Sequence, residues 1–378
     1  MLSKKNKELE ATVRQYQKSI YQLELDGGAY APRLWEKIQG LALAYYRQGK
    51  HKEATAVFKR ALHVYRVNNG LYNVEQVPLL KQMIDNHIAL KDFSVADDLH
   101  YYLYRTRLHN VQDDEPGMVE ALREYALWQR EAYFLKVGKN IHRRLMSMHD
   151  LQTQALDIIE RTEGGSNEKK LPLFGDLLTT QYLLASYVAQ PESDSSKMQY
   201  DRLKFDYLRL SSYSKGIDIL SRTIAIHDSS AHASVDDKAN AVVALGDWHQ
   251  WHNKHTQALG VYTQAYHLLA QSKDGAEQLK ATFSSPQALP AKGIFSSKLA
   301  EPKGKKKGYV TAQFSVTDDG AAKKISFLDS DEQAETEQYT RNQWKIKSSI
   351  SKMLFRPRFE NAQPVRTEGV VQRYEFYY

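Results

Sequence analysis

From residue 4 to about residue 280, apolar residues recur at spacings of three and four, the period of amphipathic helices. No stretch of this region alternates in the manner of a β-strand. The clearest pattern is a pair of apolar helix faces separated by Gly49, a residue type that favours the left-handed conformation found at helix ends. The apolar positions of this pair are Ile38, Leu41, Ala42, Tyr45, Ala54, Phe58 and Ala61. The small residues let two antiparallel helices approach closely, so this segment predicts a helical hairpin.

The same spacing occurs a second time near the end of the helical region, at Val242, Leu245, Gly246, His249, Ala258, Tyr262 and Ala265. A degenerate copy follows the first hairpin, at Ile84, His87, Phe93, Ala96 and Leu103. These repeated positions resemble the tetratricopeptide repeat (TPR), a helix-turn-helix unit of about 34 residues. Such hairpins bury their apolar faces by stacking on their neighbours, so residues 1–280 are predicted to form a TPR-like solenoid.

Between residues 118 and 235 the repeat pattern fades. The periodicity still predicts helices over residues 119–137, 141–161, 174–189 and 215–227, as divergent repeats or inserted helices. Polar and Gly-rich segments at residues 163–170 and 191–196 predict loops.

The concave side of a TPR solenoid, formed by the first helix of each repeat, is where the resemblance places a bound peptide or partner helix. The residues expected to face that groove are Glu36, Gln39, Leu43 and Tyr46 in the first repeat, and Asn240, Val243, Asp247 and Gln250 in the last. The alternative is that the protein's own helices fill the groove.

After residue 280 the sequence changes character. Pro, Gly and Lys residues between 281 and 308 predict an irregular linker. From Tyr309 the apolar period becomes two, which predicts a strand with its buried face at Val310, Ala312, Phe314 and Val316. Asp319-Gly320 predicts a hairpin turn into a second strand. A helix carrying Trp344, Ile346, Ile350, Met353 and Leu354 and a last strand containing Val370, Tyr374 and Phe376 complete a ββαβ order.

The motifs of residues 309–378 resemble the C-terminal domain of TonB: Gly308-Tyr309-Val310, Phe314-Ser315-Val316, Asp319-Gly320, Phe355-Arg356-Pro357 and Pro364-Val365. The resemblance implies a small α+β domain that works in the periplasm and pairs its edge strand with an extended peptide of an outer-membrane transporter. It implies that the docking edge is the last strand, with Val370, Val371, Arg373 and Tyr374 as the candidate contacts. This chain shows neither the N-terminal membrane helix nor the Pro-rich spacer of TonB, so direct energy transduction is not expected.

Composition and motifs give little reason to expect catalysis. The chain has no cysteine and a net charge of +7, which weakly favours acidic partners. No phosphate-binding glycine loop, HExxH motif or paired carboxylates are present, so no catalytic residue, metal or cofactor is predicted, and the chain is interpreted as a non-enzyme. His249, His252 and His255 are spaced three residues apart, a spacing that can bind zinc on a helix. Zinc binding is not predicted here, because His249 occupies a packing position of the repeat.

The sequence therefore predicts a mainly α protein: a solenoid at 1–280, a linker at 281–308 and a TonB-like domain at 309–378. Its predicted function is a cell-envelope adaptor that binds proteins, among them components of a TonB-type system or outer-membrane proteins, with a link to TonB-dependent transport and no role in nucleic-acid binding. The alternative is a structural protein whose C-terminal domain dimerises or caps the solenoid. No signal peptide or membrane-spanning stretch is visible, so a periplasmic location requires a signal removed upstream, and a cytoplasmic location is the alternative.

Overall fold

A computed structural model describes residues 2–113, 115–163, 168–188, 196–290, 293–297, 299–300, 307–330 and 337–377. It divides into two compact units, residues 1–164 and 165–378. Both units contain helical hairpins, and the C-terminal strands belong to the second unit. The predicted limits of the solenoid and of the C-terminal domain, at residues 280 and 309, both lie within that second unit.

The first unit is built from consecutive helices whose apolar faces pack in sequence order. They are α1 (Leu2–Gly27), α2 (Leu34–Arg47), α3 (His51–Asn69), α4 (Val77–Ala89), α5 (Phe93–His109), α6 (Pro116–Phe134) and α7 (His142–Glu163). The repeat positions predicted from the sequence are buried in its core, with Ala42, Ala54 and Ala61 fully inaccessible and Phe58 1% exposed. Small residues at the crossing and an aromatic ring beside them produce the close packing that the sequence pattern predicts.

The second unit begins with α8 (Leu171–Ser186), α9 (Ser196–Ser229), α10 (Val235–Trp251), α11 (His255–Ala270) and α12 (Gly275–Phe283). α10 and α11 form the second predicted hairpin, with Ala258, Tyr262 and Ala265 fully buried. Gly246 is required there, because a Cβ on it would lie 2.4 Å from the Tyr262 ring. α9 is longer than the sequence predicts, since it starts at Ser196 instead of Lys215.

The turns inside the hairpins share one backbone motif. Gly49, Lys91, Lys136 and Asn253 all have positive φ, between 54° and 73°. In each case the next amide donates to the carbonyl five residues earlier, as from Lys50 N to Tyr45 O at 3.0 Å and from Lys254 N to His249 O at 2.9 Å. This is the Schellman ending of a helix, and it sets up an abrupt reversal of the chain. Only the first turn uses glycine, so the sequence signal for the others is weak.

The C-terminal part of the second unit contains seven strands and one long helix among its described residues. The strands are β1 (Gln287–Ala288), β2 (Lys307–Val316), β3 (Ala322–Ser330), β4 (Phe355–Arg356), β5 (Arg358–Glu360), β6 (Gln363–Val365) and β7 (Thr367–Tyr377), and the helix is α13 (Glu337–Lys352). β3, β2 and β7 form an antiparallel sheet in that order, β1 pairs with β4, and β5 pairs with β6. We refer to residues 307–377 as the C-terminal module.

The sequence predictions for this module hold in their main elements. Val310, Ala312, Phe314 and Val316 are buried as predicted, and Gly320 has a φ of +82° in the turn after β2. Ile346, Ile350 and Met353 contribute to the same apolar cluster, which covers one face of the sheet.

Three details differ from the predictions. Trp344 is 71% exposed and does not join the apolar cluster. Leu354 lies beyond the end of α13, in a bridge to Ala321. Part of the predicted linker is regular, because Gln287 and Ala288 pair with β4 and the Leu289 amide donates to the Leu354 carbonyl. The Lys residues at 303, 305 and 306 lie outside the described residues.

We expect Phe58→Ala to lower the free energy of unfolding by about 3–5 kcal/mol, because it removes a fully packed ring from the core of the first unit. The control is Val67→Ala on the same helix, where the side chain is 55% exposed and the change should stay within about 0.5 kcal/mol. Urea unfolding followed by far-ultraviolet circular dichroism measures both. Equal effects of the two substitutions would contradict the repeat packing.

Candidate protein-binding surfaces

A bonded site in the second unit joins the inner helix of the last hairpin to the C-terminal module. Asp247 on α10 accepts two hydrogen bonds from Arg356 on β4, at 3.0 Å from Nε and 3.2 Å from Nη2. Tyr262 on α11 donates to the same carboxylate at 2.8 Å, and Arg356 Nη1 donates to the Thr282 carbonyl at 3.2 Å. The Arg356 and Asp247 side chains are only 14% and 16% exposed.

This geometry is a bidentate arginine–carboxylate pair shielded from water. Such pairs combine electrostatic attraction with a fixed mutual orientation. Burial raises the pKa of Asp247, and the Arg356 guanidinium opposes that rise. The pair therefore fixes the orientation of β4 on the last hairpin, since a displaced module would leave a buried charge without its partner.

Gln250, one turn further along α10, anchors a second segment of the module. Its Nε2 donates to the Asp319 carbonyl at 2.7 Å and to the Phe355 carbonyl at 3.0 Å, while Oε1 lies 3.1 Å from His255 Nδ1. Gly320 makes this approach feasible, because a Cβ there would lie 2.1 Å from the Phe355 carbonyl oxygen and 2.2 Å from Gln250 Nε2. The glycine of the predicted hairpin turn thus also serves the docking of the module.

The β5–β6 hairpin completes the contact with apolar packing. Phe359 is 5% exposed and belongs to a cluster with Tyr262 and Phe283. The ring centroids of Phe359 and Phe283 lie 5.0 Å apart. At the tip of the hairpin, Thr263 Oγ1 donates to the Ala362 carbonyl at 3.4 Å. Polar anchors and an aromatic plug together hold the module against α10, α11 and α12.

Of the four groove residues predicted in the last repeat, two therefore bind the protein's own C-terminal module. Asp247 and Gln250 bond to it as described above. Val243 is 5% exposed within the apolar cluster of the last hairpin, and Asn240 is exposed. That these four residues bind an external partner stays a prediction. In this conformation Asp247 and Gln250 bond to the C-terminal module.

The groove residues predicted in the first repeat lie on α2 with mixed environments. Gln39 Nε2 donates to Gln82 Oε1 on α4 at 2.9 Å, so consecutive first helices touch along this face. Glu36 pairs with Arg33 at 3.3 Å. Tyr46 packs edge-on against His51, and Leu43 is partly buried. Tyr16 of α1 lies against Gly40, so α1 packs directly on α2.

The predicted docking strand, β7, lies at an edge of the sheet in the described part of the chain, where it pairs with β2 alone. Val370 and Tyr374 face the apolar cluster, and burial raises the pKa of Tyr374 to about 12. Val371 is 55% exposed, and the Arg373 guanidinium lies over the Tyr309 ring at 3.6 Å. Of the four predicted contact residues, Val370 and Tyr374 therefore point inward, and Val371 and Arg373 point outward.

An exposed apolar stripe on α9 was missed by the sequence reasoning. Tyr200, Leu203, Tyr207 and Leu210 follow a three-four-three spacing and are 65–75% exposed. Contiguous exposed apolar residues of this kind mark protein-binding surfaces. The spacing is visible in the sequence, but the predicted helix begins only at residue 215, so the stripe lies outside it, and the buried residues Phe205 and Leu208 add apolar positions on the other face.

The three histidines at positions 249, 252 and 255, in and between α10 and α11, contact neighbouring side chains of the protein. His249 Nδ1 lies 2.9 Å from the Tyr213 hydroxyl, and His252 packs against Trp248 and Trp251. Burial lowers the pKa of His252 to about 4, with smaller contributions from His249 and Lys254. Across the described residues, no group of three or more His, Asp or Glu side chains is placed to hold a metal ion. No described helix is both long and apolar enough to cross a bilayer.

Comparison with known proteins gives distant structural similarity only. No protein-family model matches the chain, and no curated protein matches it. BtubC (BKLC) from P. vanneervenii is 12% identical, with a TM-score of 0.39 over 79% of this chain and 99% of that one. A kinesin light chain-like protein of Podosopora anserina with nearly identical TPR-like repeats is 11% identical, with a TM-score of 0.41 over 63% and 96%.

We expect Asp247→Ala to destabilise the second unit by about 3–5 kcal/mol, because it leaves the Arg356 guanidinium buried without its counter-ion. Glu360→Ala is the matched control: it removes a carboxylate from Arg358 in the same module, but that carboxylate is 56% exposed, and the cost should be below about 1 kcal/mol. Hydrogen exchange at β4 and β5, together with urea unfolding, reports both. Unchanged protection of β4 in Asp247→Ala would show that the pair does not hold the module.

Proposed function

We propose that this protein is a protein-interaction scaffold of the cell envelope, in which helical hairpins carry a docked C-terminal module that captures an extended peptide along β7. The observation that carries the proposal is that β7, within the described part of the chain, pairs with β2 alone. The strand is eleven residues long and free of proline, and from Val370 to Tyr374 its main-chain donors and acceptors alternate between the β2 side and the outer side. An extended peptide can complete such an edge by β-augmentation.

The two edges of the sheet are unequal, and the difference favours β7. On β3, Lys324 has a φ of +53° and the pairing with β2 shifts between Gln313 and Ser315, which is the geometry of a β-bulge. Bulges and lysines are the devices that keep edge strands from pairing with other chains. From Val370 to Tyr377, by contrast, β7 keeps an unbroken register with β2.

The side chains of β7 suit a partner that is bound mainly through its backbone. Val371 offers a small apolar contact on the outer face, and Arg373 a cation held over Tyr309. Main-chain hydrogen bonds would supply most of the affinity, and these two outward side chains would select the partner. The resemblance to the C-terminal domain of TonB supports the same edge and a TonB-box-like peptide as the ligand.

A proline scan of two neighbouring residues tests the edge. Adjacent residues of a strand direct their amides to opposite sides, so one of Val371→Pro and Gln372→Pro removes an outward donor and the other removes a donor to β2. We expect the variant that loses the outward donor to keep its unfolding temperature. It should bind a TonB-box peptide about tenfold or more weakly, because one hydrogen bond is lost and the proline ring obstructs the edge of the strand. The inward variant should unfold at lower temperature.

Fluorescence anisotropy of a labelled TonB-box peptide from a transporter of the same host measures binding, and thermal melts measure folding. Binding that is unchanged in the stably folded variant would rule out strand addition at β7.

A second candidate function is a structural cap, and the docked module favours it. Arg356, Gln250 and Phe359 tie the module onto α10–α12, which covers the apolar end of the last hairpin. Chains that end at Lys280 separate the two functions. If the module is only a cap, the truncated chain should have a less stable last hairpin, and the intact chain should bind no peptide. If the protein is the proposed scaffold, the intact chain should bind the peptide and the truncated chain should not.

The envelope location is proposed from the resemblance to the C-terminal domain of TonB. We expect the protein, expressed from its own gene, to be released with the periplasmic fraction and to be digested by protease added to outer-membrane-permeabilised cells. A cytoplasmic marker enzyme that stays intact is the control. Recovery of the protein with that marker would exclude the envelope.

A further inference from the structure

A cleft along β3, the strand at the other end of the sheet order from β7, has no role in the proposed function. Its volume is about 660 Å³, and it lies between the start of β3 and the second half of α13. The side chains that give it chemical character are Lys323, Lys324, Lys347, Trp344, Ser348 and Ser351. From this geometry we propose that the cleft is a second binding site, which takes a short acidic peptide segment carrying one apolar side chain.

The charge of the cleft calls for an anionic ligand. Three lysines line it, and none of the eight residues that line it is acidic. Lys324 has a loose contact with Glu368 at 3.7 Å, and Glu368 bonds more closely to Arg366, at 2.7 Å. The lysines of the cleft therefore keep an unbalanced positive field that carboxylates of a partner can neutralise.

The shape of the cleft fits an extended segment. Its strand side spans Ala322 to Ile325, about 10 Å at the rise of a β-strand. Its helix side spans Trp344 to Ser351, two turns or about 11 Å. Trp344, Lys347, Ser348 and Ser351 share one helix face by their spacing of three and four. About four residues in extended conformation match both walls.

The exposed indole indicates an apolar contact beside the charges. Trp344 is 71% exposed while its neighbours Ile346 and Ile350 pack under the sheet. A ring of this size left in water gains most from a partner that covers it. Ser348 on the same face adds a hydroxyl donor suited to a carboxylate, whereas the Ser351 hydroxyl donates to the Ser348 carbonyl at 2.9 Å.

A peptide fits these observations better than a membrane or a nucleic acid. Binding in a membrane interface needs a broad apolar helix face, and here a single ring projects beside a concave cleft. Single-stranded nucleic acid is bound along grooves with several stacking rings, and this cleft has one. The bulge at Lys324 also limits main-chain pairing on β3, so recognition here depends on side chains.

Fluorescence anisotropy on the full chain tests the proposal with the labelled peptide acetyl-Glu-Asp-Leu-Glu-Asp-amide and its basic counterpart acetyl-Lys-Lys-Leu-Lys-Lys-amide. We expect saturable binding of the acidic peptide only. Lys347→Glu should weaken it by about tenfold and Trp344→Ala by about fivefold. Lys345→Glu makes the same charge change on the same helix outside the cleft, and should alter the dissociation constant less than about twofold.

Two further measurements keep the proposal separate from strand addition at β7 and from folding defects. Thermal melts should be equal for the three variants, because each changes an exposed residue. The folded proline variant of β7 should bind the acidic peptide normally, so this site and the β7 edge can fail independently. Equal weakening by Lys345→Glu and Lys347→Glu, or absence of saturation, overturns the proposal. Capture of phosphatidylglycerol vesicles or of a single-stranded oligonucleotide through Trp344 and Lys347, without peptide binding, overturns it as well.

Discussion

The second unit depends on one buried interaction, the pair between Asp247 and Arg356. A carboxylate enclosed by the last hairpin is costly unless a cation and further donors reach it, and Arg356 and Tyr262 both do. Because the guanidinium fork fixes both distance and angle, β4 has one favourable orientation on α10. The neighbouring contacts of Gln250 and Phe359 then follow from short chain connections to β4.

Because the module docks there, the polar residues on the inner face of the last repeat bind the protein itself in this conformation. In an isolated hairpin, Asp247 and Gln250 would be exposed polar residues suited to a partner, as the sequence pattern predicts. In the folded second unit they recognise the main chain of a turn and an arginine on a strand. Here the two polar residues bind a turn and a strand of the protein itself, whereas the alternative predicted from the sequence is a groove filled by the protein's own helices.

Much of the architecture could be predicted because it depends on local periodicity. Ala42, Ala54 and Ala61 predict a close crossing, and the alternation from Val310 to Val316 predicts a buried strand, since each burial pattern repeats over a short window. The docking could not be predicted, because Asp247 and Arg356 are 109 residues apart and nothing local distinguishes them from solvated charges. The exposure of Trp344 could not be predicted either, because an apolar residue on an amphipathic helix is ordinarily expected to face the core.

Rigid docking also bears on how the module could act as a binding element. A module on a flexible linker would lose orientational entropy each time its edge strand bound a peptide. Held by a bidentate ion pair and an aromatic plug, β7 is presented in a fixed direction relative to α10, so less of that cost remains at the moment of binding. The proposed cleft at Trp344 lies at the other edge of the same sheet, beyond the bulge of β3. On these two proposals one small sheet would serve two ligands: β7 would pair with one through its main chain, and the lysines beside β3 would select the other by charge.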